Sequence, residues 1–234
     1  MPRFKGGLKM QVFNKTLYHF HKPYINGNDW QVNDEIVIDE NYNSEFITDC
    51  LEFYKDYREL IESLVTNKEL SIPMLKKVHD LGLSISDIKN VLWIIKREEA
   101  LEKHRLEYHS DLPSRYHSLW LCDIPQIEHW IFQLDDNSEL YKLSVTGNIF
   151  VTNDEYIPSS DNGETEVQEN IVRYWNPNII RDTSKDEILF QGRIKILEKL
   201  DTEKYRRIAM ETLLENVILS DQIDFGKEKS LILN

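Results

Sequence analysis

LPSRYHSLWLCDIPQIEHWIFQL, residues 112–134, decides how the chain is read. It opens on a Pro113-Ser114 turn and carries Arg115 into the apolar run Leu119-Trp120-Leu121-Cys122, which stops at Asp123. Pro125 then starts a segment with apolar residues at Ile127, Trp130, Ile131 and Leu134. A β-rich run bounded by turn residues, followed by a Pro-initiated segment of helical period, predicts strand, tight turn, helix. Polar groups leading into a buried strand are held by a rigid element, which is what a site needs.

Upstream, QVFNKTLYHF (11–20) alternates as a first strand and QVNDEIVID (31–39) as a second, short one. Three helices follow by spacing: Phe46–Val65, a short one from Ser71 to Leu81, and a long one from about Asp87 to His109 capped by Ser86. They form either a small subdomain ahead of Leu112 or one flank of a mixed sheet. Downstream, Leu140–Val145 reads as a strand, Thr146-Gly147-Asn148 as a turn and Ile149–Val151 as another strand. Asn153–Glu169, with six acidic residues and no basic one, reads as a mobile surface loop. A short helix, Glu169–Trp175, ends at Asn176-Pro177. Asp186–Leu197 reads as two strands interrupted at Gln191-Gly192, and Lys204–Ser220 as a last helix.

Acidic residues exceed basic ones by 41 to 28, giving a net charge of −13 and a pI near 5.0. That excludes a dedicated non-specific nucleic-acid binder, whose affinity comes from phosphate neutralisation, but not an enzyme with a local basic strip. Arg193, Lys195, Lys199, Lys204, Arg206 and Arg207 offer such a strip; pairing with Glu198, Asp201 and Glu203 is the plainer account. Cys50 and Cys122 lie in apolar periodic segments and are expected to be free thiols in a reducing, cytoplasmic setting. No signal-peptide core or membrane-length apolar run is visible, so no membrane partner is expected.

Gly-rich phosphate loops, G-x-S-x-G and H-E-x-x-H are all absent. The Cys and His spacings fit no structural zinc pattern, and no metal site is expected. What remains is an ordered set of short motifs: Tyr18-His19; Arg97-Glu98 with Glu102 and Arg105; Pro113-Ser114-Arg115; Arg173-Tyr174-Trp175; and Glu187-Ile188-Leu189-Phe190-Gln191-Gly192. In that order, over roughly residues 17–197, they resemble the ADP-ribosyltransferase superfamily. More narrowly, they are similar to a group of uncharacterised bacterial domains with Y-H, R-E-x-x-x-E-x-x-R, P-S-R, R-Y-W and E-x-L-x-x-G motifs.

The resemblance implies an α+β fold, a split β-sandwich of ADP-ribosyltransferase type with a helical segment inserted after the first strands. The domain would span residues 1–200, with a helical subdomain at about 44–110 and a C-terminal helix and tail at 201–234. NAD would be the co-substrate and a macromolecule (RNA, DNA or protein) the acceptor, as in a bacterial toxin or anti-phage effector with a neutralising antitoxin protein. Glu187 would be the catalytic glutamate, its rival an ordinary surface Glu at a strand start. His19 would hold a ribose hydroxyl, or be a satisfied strand-end histidine. Arg115 would meet the diphosphate, or pair with the acidic loop. Tyr116, Ser118 and Trp120 would line the nicotinamide pocket, although a core role suits Trp120 better, and Tyr174 and Trp175 read as packing residues.

The residue types suit the chemistry, because breaking the nicotinamide–ribose bond passes through an oxocarbenium-like state that a nearby carboxylate stabilises. Two departures bear on the acceptor. There is no S-T-S triplet, and Lys185 stands where arginine-modifying members carry Gln or Glu, which argues against arginine as acceptor. The same site with water as acceptor would be an NAD glycohydrolase. A chain that kept the fold without turnover would be an interaction module, with Leu231-Ile232-Leu233 as a docking tail.

Overall fold

The chain is seen in a computed structural model that describes residues 9–23, 29–65, 76, 79–80, 84–134, 137–176 and 182–214. Most of the short helix expected at Ser71–Leu81, and the whole 231–233 tail, lie outside the described residues. Among the described residues five antiparallel strands form one sheet: β1 (Lys9–His21), β2 (Glu35–Ile38), β3 (Leu119–Leu121), β4 (Glu139–Asn153) and β5 (Asp186–Lys199). Their order is β1-β4-β5-β2, with β3 also paired to β5. The fold is therefore α+β, as expected.

The long strands β4 and β5 are the centre, and their sequences are buried on both faces. One face carries Leu143, Val145, Ile149, Ile188, Phe190, Ile194 and Ile196. On the other, Phe150 and Leu189 pack with Leu101, Ile171, Tyr174 and Trp175. Neither strand is interrupted at its glycine. Gly147 and Gly192 lie opposite each other in the β4–β5 ladder, and a Cβ on Gly147 would fall 2.7 Å from the Gly192 Cα. The turn expected at 146–148 and the break at 191–192 are thus one close approach of two backbones, for which glycine is required.

Helix α1 (Glu45–Val65) packs on α2 (Ile85–Tyr108) between β2 and β3. Ser84, not Ser86, caps α2: its hydroxyl accepts from the Asp87 N–H at 3.1 Å while the Asp87 carboxylate accepts from the Ser84 N–H at 2.7 Å. This reciprocal box satisfies two otherwise orphaned donors, and Ser86 is exposed. At the other end, Arg105 is clamped by Glu102 (2.7 Å) and donates to the Leu112 carbonyl at 2.8 Å, fixing the chain just before Pro113. The helical segment is a flank of the sheet, because Trp175 donates to the Leu101 carbonyl and stacks on Phe150.

After β3, Asp123 caps a 3₁₀ turn (Ile124–Gln126) with Pro125 at its start, and α3 (Ile127–Gln133) buries Ile127 and Ile131 against Tyr18 and Phe20. The acidic loop is shorter than expected: a 3₁₀ turn occupies Asp154–Tyr156 and α4 runs Glu164–Tyr174. A last helix, 202–214, follows β5. Cys50 and Cys122 are free thiols. Among the described residues no helix is long and apolar enough to cross a membrane.

Candidate functional site

Beyond the end of β3 the chain touches β1. Tyr18 and Cys122 exchange both backbone hydrogen bonds, each 2.9 Å. His19 is the next residue after Tyr18; Glu187 directly precedes Ile188, which pairs with Leu121. One junction of strands therefore fixes both side chains.

His19 is buried, and its Nδ1 lies 2.8 Å from the Trp120 carbonyl oxygen. A carbonyl only accepts, so Nδ1 carries the proton and Nε2 of the neutral ring presents a lone pair. Burial pushes the imidazole below its usual range, against the pull of Glu45, whose Oε2 is 3.9 Å from Nε2. Among the described residues no hydrogen-bond partner reaches Nε2.

Glu187 is 2% exposed, not a surface residue. Its Oε1 accepts from both Arg115 Nη1 and the Tyr174 hydroxyl, while Oε2 is buried without a partner. Arg115 is fully buried, with its guanidinium over the rings of Trp120 (4.3 Å) and Tyr174 (4.9 Å). Its Nε donates to Glu98 Oε2 at 2.6 Å and its Nη2 to Glu98 Oε1 at 3.2 Å. Arg97 adds a second cation to Glu98 at 2.8 Å. The two carboxyls consequently diverge. Burial pushes both up, but Arg115 and Arg97 outweigh it at Glu98, which is held below the usual carboxylate range. At Glu187 burial outweighs Arg115 and Tyr174, and the carboxyl is raised.

A cleft of about 440 Å³ joins these groups, with His19, Glu45, Ser118, Trp120 and Glu187 on its wall. Ser118 is fully buried and its Oγ, like His19 Nε2 and Glu187 Oε2, has no partner. An unsatisfied buried polar atom costs about 1–3 kcal/mol. Three of them on one wall mark a place for a polar ligand.

The structure thus brings His19, Ser118 and Glu187 together. It places Tyr116 elsewhere. Arg115 lines the same cleft, but its guanidinium is already engaged by Glu98, Glu187 and Tyr174, and neither of its ion pairs is to the acidic loop. Tyr116 is not on the wall: its side chain borders a shallow outer groove with Glu99, Glu102 and Glu107. There burial first, then Glu98, Glu99 and Glu102, push its hydroxyl up to about 12. Trp120 is on the wall, half-buried, with its indole N–H donated to the Arg115 carbonyl at 3.2 Å.

Reading the sequence missed Tyr174 as a ligand of Glu187, and Glu98 as the anchor of Arg115. It also missed a second cluster: His21 Nδ1 lies 2.6 Å from Glu45 Oε1, and donor atoms of His19, His21 and Glu45 all fall within 4.8 Å of one another. H-x-H on a strand was the available signal, but Glu45 comes from the first turn of α1 and no spacing announces it.

Residues 17–202 match a family described as Protein of unknown function (DUF2441). No curated protein matches the chain.

Proposed function

The chain belongs to the DUF2441 family, and for it we propose an NAD-dependent ADP-ribosyltransferase that modifies a macromolecule, built on a split β-sandwich of that superfamily's type. The observation that supports this reading is the pair of partnerless atoms, His19 Nε2 and Glu187 Oε2, on one cleft wall. They are the acceptor and the carboxylate that the nicotinamide nucleotide asks for.

His19 Nε2, unprotonated, accepts from a ribose hydroxyl. Glu187 Oε2 accepts from the 2′-hydroxyl of the nicotinamide ribose. As the C1′–N bond breaks, its electron pair leaves with nicotinamide, and positive charge develops on the ribose beside the carboxylate. That interaction strengthens in the transition state, so it accelerates the step. The acceptor then attacks C1′ and loses its proton. Arg115 and Tyr174 hold Oε1, which leaves Oε2 to the substrate. With Arg115 committed, the diphosphate falls to Arg97, which lines the cleft and binds Glu98 through Nε and Nη2, keeping Nη1.

The test is release of nicotinamide from NAD by the purified protein, with Glu187→Gln as control. Turnover should fall at least 100-fold while NAD affinity is kept. Labelled NAD in a cell lysate, followed by nuclease or protease, then identifies the acceptor. Label found only on free ADP-ribose would assign a glycohydrolase instead. Unchanged turnover in Glu187→Gln would remove the reading.

A further inference from the structure

We propose that His19, His21 and Glu45 form a binding site for a divalent transition-metal ion of the zinc type, whether or not the chain turns over NAD. His19 and His21 are two apart on β1 and so project to the same side of the strand. Glu45 comes to them from the first turn of α1. All three are buried, at 6%, 1% and 8% exposure. Two imidazoles and one carboxylate are a donor set for zinc and its first-row neighbours, not for magnesium or calcium, which prefer oxygen alone.

The surroundings are already those of metal ligands. A ligating histidine characteristically donates its other ring N–H to a carbonyl or carboxylate. His19 does so to the Trp120 carbonyl at 2.8 Å, and its Nε2 has no hydrogen-bond partner. Glu45 Oε2 is oriented by the Lys22 backbone N–H at 2.8 Å. Trp30 stacks on both imidazoles, at 5.0 Å and 4.5 Å between centroids, which limits their rotation. Zinc sits about 2.0–2.2 Å from nitrogen and oxygen donors. Donor atoms within 4.8 Å of one another reach that geometry once the widest pair draws in by about 1.2–1.5 Å and the His21–Glu45 hydrogen bond gives way to the ion. His19 and Glu45 also line the cleft, so the remaining coordination position faces it.

The experiment uses the untagged full chain, stripped with chelator, titrated with Zn²⁺ by calorimetry and with Co²⁺ by visible absorption. One equivalent should bind, with the intense d–d bands of a four-coordinate Co²⁺ site and a change in tryptophan fluorescence from Trp30. His19→Gln, which gives up the stacking on Trp30 but keeps an amide N–H for the Trp120 carbonyl, should weaken binding at least about 10-fold. Glu45→Gln should do the same, and circular dichroism should show both variants folded; if Glu45→Gln does not fold, His19→Gln decides alone. Octahedral Co²⁺ spectra, or an affinity untouched by His19→Gln, would mean adventitious surface binding and overturn the site. The ion would take the same His19 Nε2 lone pair that the enzymatic reading gives to a ribose hydroxyl. Metal binding is therefore measured without NAD, and nicotinamide release on the chelator-stripped protein, so either can fail while the other stands.

Discussion

Arg115 lies between Glu98 and Glu187 and donates to both, so one guanidinium is shared by two buried carboxylates. Among the described residues, removing it leaves Glu98 with Arg97 as its one cation and Glu187 with the Tyr174 hydroxyl but no cation. Arg115→Met should therefore destabilise the protein by about 3–5 kcal/mol in urea unfolding near neutral pH. The sign of the pH effect follows from the two carboxyls. Without Arg115 the Glu187 pKa, already raised, goes higher and the Glu98 pKa moves up, so relative to the parent the variant gains stability at acid pH and loses it as pH rises. In the parent, Glu98 is held low, and its contribution is lost as pH falls. The gap between variant and parent should accordingly shrink between pH 7 and pH 4. A constant gap would show that packing against Trp120 and Tyr174, not charge, is what Arg115 supplies.

Tyr174 donates to the same oxygen of Glu187 that Arg115 holds. A hydrogen bond to a carboxylate favours the charged form, so Tyr174→Phe should raise the Glu187 pKa further above its already raised position. If the ionised carboxylate is the active form, the acid limb of kcat/KM moves to higher pH in the variant. The hydroxyl is fully buried, and its loss should also cost about 1.5–3 kcal/mol. An unmoved acid limb would show that another group controls it.

Gly147→Ala and Gly192→Ala each put a methyl group against opposing backbone: 2.7 Å from Gly192 Cα in one case and 2.5 Å from the Thr146 carbonyl oxygen in the other. Backbone yields less readily than a side chain, so each should cost about 1–3 kcal/mol by thermal or urea unfolding. The double variant should cost no less than either single one, because no side chain is there to make room.

Those glycines also show why the sheet was only half legible. Gly in a strand pattern reads as a turn or an interruption, and only the β4–β5 register shows that two such signals are one contact. The strand-turn-helix of residues 112–134 was legible because its punctuation is local: Asp123 caps, Pro125 starts, and Ile127 and Ile131 bury. His19, Ser118 and Glu187 could be picked out through ordered motifs, and Glu98 and Tyr174 stand in motifs of the same series. Their contacts to Arg115 and Glu187, however, join distant parts of the chain that no motif announces, and nothing in its own neighbourhood marks Glu45. The cap of α2 was misread by two residues, since Ser84 and Ser86 differ only in having an acid three places on. Ser84→Ala should therefore cost about 1 kcal/mol, and Ser86→Ala less than about 0.5 kcal/mol, in thermal unfolding.

Ser118 separates a structural from a ligand-binding cleft. Its hydroxyl is fully buried and makes no hydrogen bond, so in the free protein Ser118→Ala removes an unsatisfied group and should leave stability unchanged or slightly improved. If the cleft holds a nucleotide that the hydroxyl meets, the same substitution deletes one contact to the ligand. Affinity for NAD should then fall by about 5–20-fold, equivalent to one hydrogen bond of roughly 1–1.8 kcal/mol. The two effects have opposite signs, and calorimetry of binding with thermal unfolding of the same sample reads both. Loss of stability with unchanged affinity would instead give Ser118 a partner inside the protein and take it out of the site.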